Sequence, residues 1–226
     1  MHEIRAGLNR VRERVAAAAE RAGRRADDVL LIAVSKTVDV ERIREAVAAG
    51  VAALGENRVQ EAKAKVAALG HPVPWHLIGH LQTNKVKDAL ALFDVIHSVD
   101  RLELAREIER RAAGESRPVD VLLEVNVGAE ASKSGFAPDA VAGALDAIAG
   151  MAHLKVRGLM AIPPVVERAE DSRAAFQSLR ALRDRHGLGE LSMGMSADFE
   201  VAIEEGATMV RVGTAIFGAR PPKATA

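Results

Sequence analysis

Lys36 follows an apolar run at 30–34 and a single serine, and its amine could do covalent chemistry. A continuous apolar run of this length, rich in branched residues, is typical of a strand that is buried on both faces. A lysine held against apolar walls loses hydration, which lowers the pKa of its amine. The neutral amine could then form a Schiff base. The alternative is a solvated lysine at the start of a loop.

Ser196 and the pair Gly213-Thr214 could bind an anion. Ser196 precedes a predicted helix, where free backbone N–H groups and the helix dipole attract negative charge. Gly213 follows the last predicted strand, and a glycine lets a phosphate approach the backbone closely. The structural alternatives are a plain helix cap for Ser196 and a plain turn for Gly213.

The composition excludes several classes of function. Basic and acidic residues balance at 31 each, without a long block of like charge, which favours neither nucleic-acid nor membrane binding. The sequence contains no cysteine, so thiolate catalysis and thiolate metal sites are excluded. His76 and His97 lack a ligand cluster, so no metal site is expected. The polar N-terminus lacks the core of a signal peptide, and we expect a cytoplasmic protein.

Eight strand signals alternate with helix signals, after a predicted N-terminal helix at 2–22. The predicted strands lie at 30–36, 51–54, 75–78, 95–98, 119–127, 154–162, 191–193 and 208–212. The predicted helices between and after them lie at 40–49, 58–69, 83–92, 101–113, 138–149, 167–186, 197–205 and 213–217. Asp39 and Asp100 are expected to cap the helices that follow them.

The order of these elements predicts a barrel. Alternation of strands and helices implies a parallel sheet, and eight such units can close into a (β/α)8 barrel of the TIM type. The connections are short enough for a single domain over 1–226, with an extra N-terminal helix and a loose tail at 220–226. An open doubly wound sheet is the structural alternative, because the second and seventh strand signals are weak.

The active site of such a barrel lies at the carboxyl ends of its strands. Polar residues follow several of the predicted strands there: Lys36, Asn57, His80, Ser98, Asn126, Ser196 and Arg211. Asn57 has a second interpretation as a helix cap, and His80 and Ser98 as ordinary loop hydrogen-bonding groups. Met160 is predicted near the barrel mouth, where a methionine usually packs.

The predicted positions suggest a cofactor. Barrels frequently bind phosphate between the loops after strands 7 and 8, which is where Ser196 and Gly213 are predicted to lie. A Schiff-base lysine opposite that site suggests an aldehyde that carries a phosphate, and pyridoxal 5′-phosphate (PLP) satisfies both needs. A Schiff-base aldolase that acts on a sugar phosphate without a cofactor is equally compatible with these features.

Seven stretches of the sequence resemble the pyridoxal phosphate homeostasis protein family. They cover essentially the whole chain in order, and their combination is highly specific. The stretches are 32–36 (IAVSK), 55–61 (GENRVQE), 75–85 (WHLIGHLQTNK), 132–136 (SKSGF), 157–160 (RGLM), 193–199 (MGMSADF) and 210–218 (VRVGTAIFG). One local departure is Trp75, where the resemblance leads us to expect phenylalanine or histidine nearby. The family is a single-domain relative of the alanine racemase barrel, termed fold type III.

The resemblance implies a role for each candidate residue. It implies that Lys36 carries PLP as an internal aldimine. It also implies that the phosphate is held by Ser196, Gly213 and Thr214, and that Arg211 faces the pyridine nitrogen. Asn57 and Met160 are further implied cofactor contacts. The alternative for Arg211 is an ion pair with Glu204 or Asp198, and Lys133 is either a transient acceptor of PLP or a solvated loop lysine.

We therefore expect a monomeric protein that binds PLP, contributes to PLP and amino-acid homeostasis, and has no catalytic residue of its own. Apo forms of PLP-dependent enzymes are the expected partners. The alternative is a PLP-dependent amino-acid racemase. Racemisation in the related enzymes needs a lysine and a tyrosine on opposite faces, together with a second β domain. This sequence contains no tyrosine and ends directly after the predicted barrel.

Overall fold

Eight parallel strands close into a barrel, each hydrogen-bonded to the next along the chain and the last to the first. The computed structural model describes residues 2–114, 118–128, 134–164 and 166–218. The strands are β1 (Leu30–Val34), β2 (Ala53–Glu56), β3 (Trp75–Leu77), β4 (Val95–Val99), β5 (Val119–Glu124), β6 (Leu154–Met160), β7 (Glu190–Met195) and β8 (Met209–Val212). The predicted (β/α)8 barrel is confirmed, and the open sheet is wrong.

Helices surround the barrel and alternate with its strands. They are α1 (His2–Arg21), α2 (Val40–Ala48), α3 (Val59–Leu69), α4 (Val86–Leu92), α5 (Leu102–Ala112), α6 (Val141–Ile148), α7 (Arg173–Arg185), α8 (Phe199–Glu204) and α9 (Thr214–Phe217). None of these helices of the described chain is long and apolar enough to cross a bilayer.

The extra N-terminal helix α1 covers the seam of the barrel. Ile4, Leu8, Val11 and Val15 are buried on one face of α1, at the helical spacing seen in the sequence. This face packs against α2, α8 and α9. Those helices flank the place where β8 pairs with β1, so α1 supports the seam from outside.

Register at that seam places the candidate residues of the first and last strands side by side. Ile32 of β1 lies opposite Arg211 of β8. Neighbouring parallel strands end at the same edge of a sheet, so the residues after β8 lie next to those after β1. Lys36 and Gly213 are therefore neighbours by topology.

Two details of the sequence-based prediction are wrong. β1 ends at Val34, so Lys36 lies in a turn beyond the strand. Asp100 does not cap α5, because its carboxylate pairs with His80 and Arg101 instead. A second predicted cap is confirmed.

That cap is Asp39, whose side chain accepts a hydrogen bond of 2.9 Å from the backbone N–H of Arg42. The departure at Trp75 is a packing feature: the ring is fully buried, and its N–H donates to the carbonyl of Gly70 over 3.1 Å. The tail at 220–226 and Lys133 lie outside the described residues.

Candidate functional site

Lys36 lies in the turn at 36–37 that follows β1. Ser35 before it is fully buried, Thr37 after it is exposed, and Lys36 itself is half-buried at the rim of the barrel. Thr37 has a φ of 63°, a left-handed conformation that is rare for a β-branched residue. The surroundings must impose this conformation, because a threonine does not favour it.

The loops after β7 and β8 meet at Ser196 and Gly213. The backbone N–H of Gly213 donates a hydrogen bond to Ser196 Oγ over 3.3 Å. Gly213 also lies close to β1, since a Cβ added to it would be 3.2 Å from the carbonyl oxygen of Val34. The meeting point of the two loops therefore borders on the end of β1, just before Lys36.

Thr214 adds donors to this meeting point. It is exposed and is the first residue of α9. The first N–H groups of a helix have no acceptor within the helix. In α9 these groups are the backbone N–H groups of Thr214 and Ala215. Together with the hydroxyls of Ser196 and Thr214, they form a group of donors that can hold a phosphate.

Arg211 is a buried cation at the carboxyl end of β8, with 3% of its surface exposed. Its Nη1 donates to Ser192 Oγ over 2.6 Å, and its Nη2 donates to the carbonyl of Ala161 over 2.9 Å. Burial lowers the pKa of Arg211 to about 10, although the charges of Asp198 and Glu124 oppose this shift. The guanidinium remains protonated at neutral pH.

The alternative ion pair of Arg211 with Glu204 or Asp198 does not occur. Glu204 pairs with Arg21 and Arg173 on the outer surface. The carboxylate of Asp198 accepts hydrogen bonds from the N–H of Met195 and the hydroxyl of Ser172. Arg211 is therefore held by neutral acceptors.

A chain of hydrogen bonds continues from Arg211 across the barrel. Ser192 Oγ is 2.9 Å from His97 Nδ1, and His97 Nε2 is 2.8 Å from His76 Nδ1. An arginine only donates, so Ser192 Oγ accepts from Arg211. The second lone pair and the proton of this hydroxyl allow either direction for its bond to His97 Nδ1, and the direction follows the tautomer of the imidazole. We name these four residues the histidine chain.

Burial keeps the histidine chain uncharged apart from its arginine. It lowers the pKa of His76 to about 4, although the charge of Asp94 opposes this shift. The pKa of His97 lies well below its ordinary value because of burial, with smaller effects from His76 and Arg211. Both imidazoles are therefore neutral at physiological pH.

Asn57 lies between β2 and α3 and faces a cavity of about 250 Å³ at the carboxyl end of the barrel. Its Oδ1 is buried and has no hydrogen-bond partner among the described residues. Arg58, not Asn57, precedes the first turn of α3, so the alternative interpretation of Asn57 as a helix cap is wrong. A buried acceptor without a partner is costly, which suits a residue that meets a ligand.

Glu124, the last residue of β5, lines the same cavity. Burial raises its pKa to about 7, helped by the charge of Asp100 and opposed by that of Arg211. Glu124 is not among the residues predicted from the sequence. The predicted strand continued to residue 127, so Glu124 was expected within the strand and not at its end. Nothing in the neighbouring sequence indicated that its carboxylate faces the cavity.

The other candidates divide into packing and loop residues. Met160, at the end of β6, is fully buried. Ser98 is buried and donates to the carbonyl of Gly79 over 2.6 Å, whereas exposed His80 pairs with Asp100 over 2.9 Å. Asn126 is half-buried beside the small cavity.

A larger cavity, of about 880 Å³, lies at the opposite end of the barrel, between α1 and the amino ends of the strands. Leu8, Val15, Leu30 and Met209 are among its lining residues, and the candidate site residues are not. Asn57 and Asn126 line the smaller cavity instead, and Ser196 and Gly213 lie in the loops after β7 and β8. These sequence-predicted candidates are thus grouped at the carboxyl end of the barrel.

Comparisons with known proteins show the family of the chain. A family model described as "Alanine racemase, N-terminal domain" matches residues 7–221. A protein of Aquifex aeolicus named "Pyridoxal phosphate homeostasis protein" is 49% identical over 220 residues, which cover 94% of this chain and 96% of that protein. The chain belongs to the pyridoxal phosphate homeostasis protein family. The resemblance inferred from the sequence motifs is thereby confirmed.

Solved structures extend the comparison of this pyridoxal phosphate homeostasis family member. A crystal structure described as that of "an unknown protein from Bifidobacterium adolescentis" is 42% identical, with a TM-score of 0.90 and coverage of 96% of this chain and 95% of that one. PipY from Synechococcus elongatus, solved with PLP bound, is 40% identical with a TM-score of 0.78. That comparison covers 84% of this chain and 93% of PipY.

Proposed function

We propose that the protein binds PLP at the carboxyl end of its barrel, holds it through Lys36, and thereby contributes to intracellular PLP and amino-acid homeostasis. The observation that carries the proposal is the meeting of Ser196 and Gly213 beside the end of β1. This meeting supports the proposal, because N–H and hydroxyl donors of the kind that bind phosphate lie near the turn of Lys36. A cytoplasmic location, a monomeric state and the exchange of PLP with apoenzymes are parts of the same proposal.

The residues present fit PLP at both of its ends. Ser196, Gly213 and Thr214 would hold the phosphate, and Arg211 has N–H donors beyond the two bonded to Ser192 and Ala161. The unpartnered Oδ1 of Asn57 and the buried side chain of Met160 complete the set. When bound, PLP supplies an aldehyde that can condense with the amine of Lys36, with loss of one water.

Arg211 favours retention of PLP over its use in catalysis. A guanidinium can only donate hydrogen bonds, so it would stabilise an unprotonated ring nitrogen. An unprotonated ring is a poor sink for electrons from an amino-acid α-carbon. The sequence also has no tyrosine to act as a second base. We therefore propose slow turnover, against the alternative of an amino-acid racemase.

An absorbance spectrum before and after borohydride reduction tests the proposal. The protein loaded with PLP is yellow, and reduction followed by peptide mapping places a phosphopyridoxyl group on Lys36. The Lys36→Ala variant loses the visible band and retains part of its affinity through the phosphate contacts. A group found mainly on another lysine contradicts the assignment, and a protein that is colourless as purified and takes up no PLP favours the aldolase.

The phosphate contacts have their own test. The double variant Ser196→Ala/Thr214→Ala weakens PLP binding by about a hundredfold or more, since each hydrogen bond to a charged group contributes roughly 1.5–3 kcal/mol. Its affinity for pyridoxal, which lacks the phosphate, changes little. Equal losses for both ligands place the phosphate elsewhere.

Exchange of the α-proton of L-alanine in D2O separates the binding protein from the racemase. The loaded protein, followed by NMR, exchanges this proton far more slowly than an ordinary enzyme rate of about 1 per second. Exchange at or above that rate overturns the binding-protein proposal in favour of the racemase.

A further inference from the structure

Two side chains of α3 hold the peptide groups on either side of Lys36. The ammonium of Lys65 donates to the carbonyl oxygen of Ser35 over 2.6 Å. The backbone N–H of Thr37 donates to Glu61 Oε1 over 2.5 Å. The turn that carries Lys36 is therefore fixed from one helix, at the residue before the lysine and at the residue after it.

All the hydrogen-bond donors of the Lys65 side chain are used around this turn. It is 5% exposed, and its ammonium also donates to Glu56 Oε1 over 2.6 Å and to Glu61 Oε1 over 2.7 Å. With Ser35 these contacts use all three ammonium donors. Glu56 Oε1 in turn accepts the hydroxyl proton of Ser35 over 2.6 Å. We name Ser35, Glu56, Glu61 and Lys65 the lysine clamp.

The turn needs such a restraint. Thr37 adopts its left-handed φ of 63°, and the N–H of Val38 closes the turn onto the same carbonyl of Ser35 over 3.0 Å. A left-handed β-branched residue persists only where its surroundings enforce it. The contact from Glu61 to the N–H of Thr37 supplies that enforcement.

We infer that Lys65 and Glu61 are positioning residues that orient Lys36 for bond formation with an aldehyde. The inference rests on the proposed function. The amine of Lys36 forms a C=N bond to the aldehyde carbon and one water leaves, and this step requires the lysine within a narrow range of positions. Neither Lys65 nor Glu61 needs to touch the ligand.

Pyridoxine 5′-phosphate allows a positioning role to be distinguished from a merely structural one. It carries the ring and the phosphate of PLP with a hydroxymethyl group in place of the aldehyde. The phosphate contacts hold it, and it forms no bond to Lys36. The rate of borohydride-trapped attachment of PLP is then compared with the affinity for pyridoxine 5′-phosphate in each variant.

Lys65→Met and Glu61→Ala slow covalent attachment of PLP by about tenfold to a hundredfold, because small displacements of a reacting group have effects of this size. Their affinities for pyridoxine 5′-phosphate stay within about twofold of the wild type. Lys63→Met is the matched control, since Lys63 is exposed on the same helix, and it changes neither quantity.

Each result decides between the possibilities. Parallel losses of attachment and of pyridoxine 5′-phosphate affinity overturn the inference in favour of a structural role, and so does unchanged attachment in folded variants. If Lys65→Met does not fold, Glu61→Ala alone decides, because Glu61 is partly exposed. A wild-type protein that shows no trapped PLP refutes the proposed function itself, which separates the two failures.

Discussion

The lysine clamp and the histidine chain are two polar networks that accommodate buried charge in different ways. The clamp joins α3 to the ends of β1 and β2 and contains one ammonium and two carboxylates, from Lys65, Glu56 and Glu61. The histidine chain crosses the barrel interior, because β4 and β7, which carry His97 and Ser192, are not neighbours in the sheet. It contains one guanidinium and neutral partners.

Their surroundings explain the difference. Glu61 lies near the surface; although burial alone would raise its pKa, hydrogen bonds from Lys65 and Thr37 lower it. Burial raises the pKa of Glu56, against hydrogen bonds from Lys65 and Ser35. In the histidine chain no carboxylate is bonded to Arg211, and the imidazoles stay neutral. Oppositely charged side chains pair in the lysine clamp, where α3 meets the ends of β1 and β2. In the barrel interior, the single cation Arg211 donates hydrogen bonds to neutral acceptors.

Removal of a charge tests the clamp and is expected to have the largest effect on stability. Lys65→Met leaves two carboxylates without their shared cation and lowers the free energy of unfolding by about 3–5 kcal/mol, as for other broken buried ion pairs. Urea unfolding at neutral pH measures the loss. Lys63→Met changes it by less than about 0.5 kcal/mol. A loss no larger than that of the control would make the clamp dispensable for folding.

The change in stability at low pH tests whether the histidines of the histidine chain are neutral. The pKa of His76 is about 4 in the fold, below its unfolded value of about 6.5. The unfolded state therefore binds more protons, and the contribution of His76 to stability, complete above that unfolded value, is lost as pH falls toward 4. Between pH 7 and pH 5 the wild type loses about 2 kcal/mol more than His76→Gln. Equal losses in urea unfolding would show that His76 is protonated in the fold.

Ser192→Ala interrupts the histidine chain without removing a charge. The variant leaves Arg211 without one acceptor and His97 Nδ1 without its hydroxyl partner, and lowers the free energy of unfolding by about 1–3 kcal/mol. Ser178→Ala, on the exposed face of α7, is the control and stays within about 0.5 kcal/mol. If the two variants behave alike, the bonds to Ser192 do not stabilise the barrel.

Thr37→Gly probes the strain beside the clamp and has the smallest expected effect. Glycine tolerates the left-handed φ without steric cost, and the entropy lost by a glycine on folding offsets part of the gain. We expect stabilisation by less than about 1 kcal/mol in thermal unfolding. Ser178→Gly in helix α7 is the contrast, since it is destabilising by about 0.5–1 kcal/mol. Destabilisation by Thr37→Gly would mean that the entropy lost by glycine on folding outweighs the relief of strain in this turn.

The local predictions succeeded where the sequence pattern repeats. The weak signals near Leu54 and Met193 did belong to strands, although the predicted bounds were displaced by up to two residues. The clamp was harder to find. The spacing of Glu61 and Lys65 marks an i, i+4 pair, but it does not show that both side chains turn toward Ser35. Glu56, between a predicted strand and Asn57, gave no sign of its burial.

The sequence by itself determined the alternation of strands and helices, the family, and the set of polar residues that follow the strands. These follow from periodicity and local motifs, which neighbouring residues carry. Only the tertiary structure decided which polar groups meet: Lys65 with Ser35, Ser192 with His97, and Ser196 with Gly213. These partners are separated by 30, 95 and 17 positions. Closure of the barrel brings them together, and local periodicity contains no information about such distant pairs.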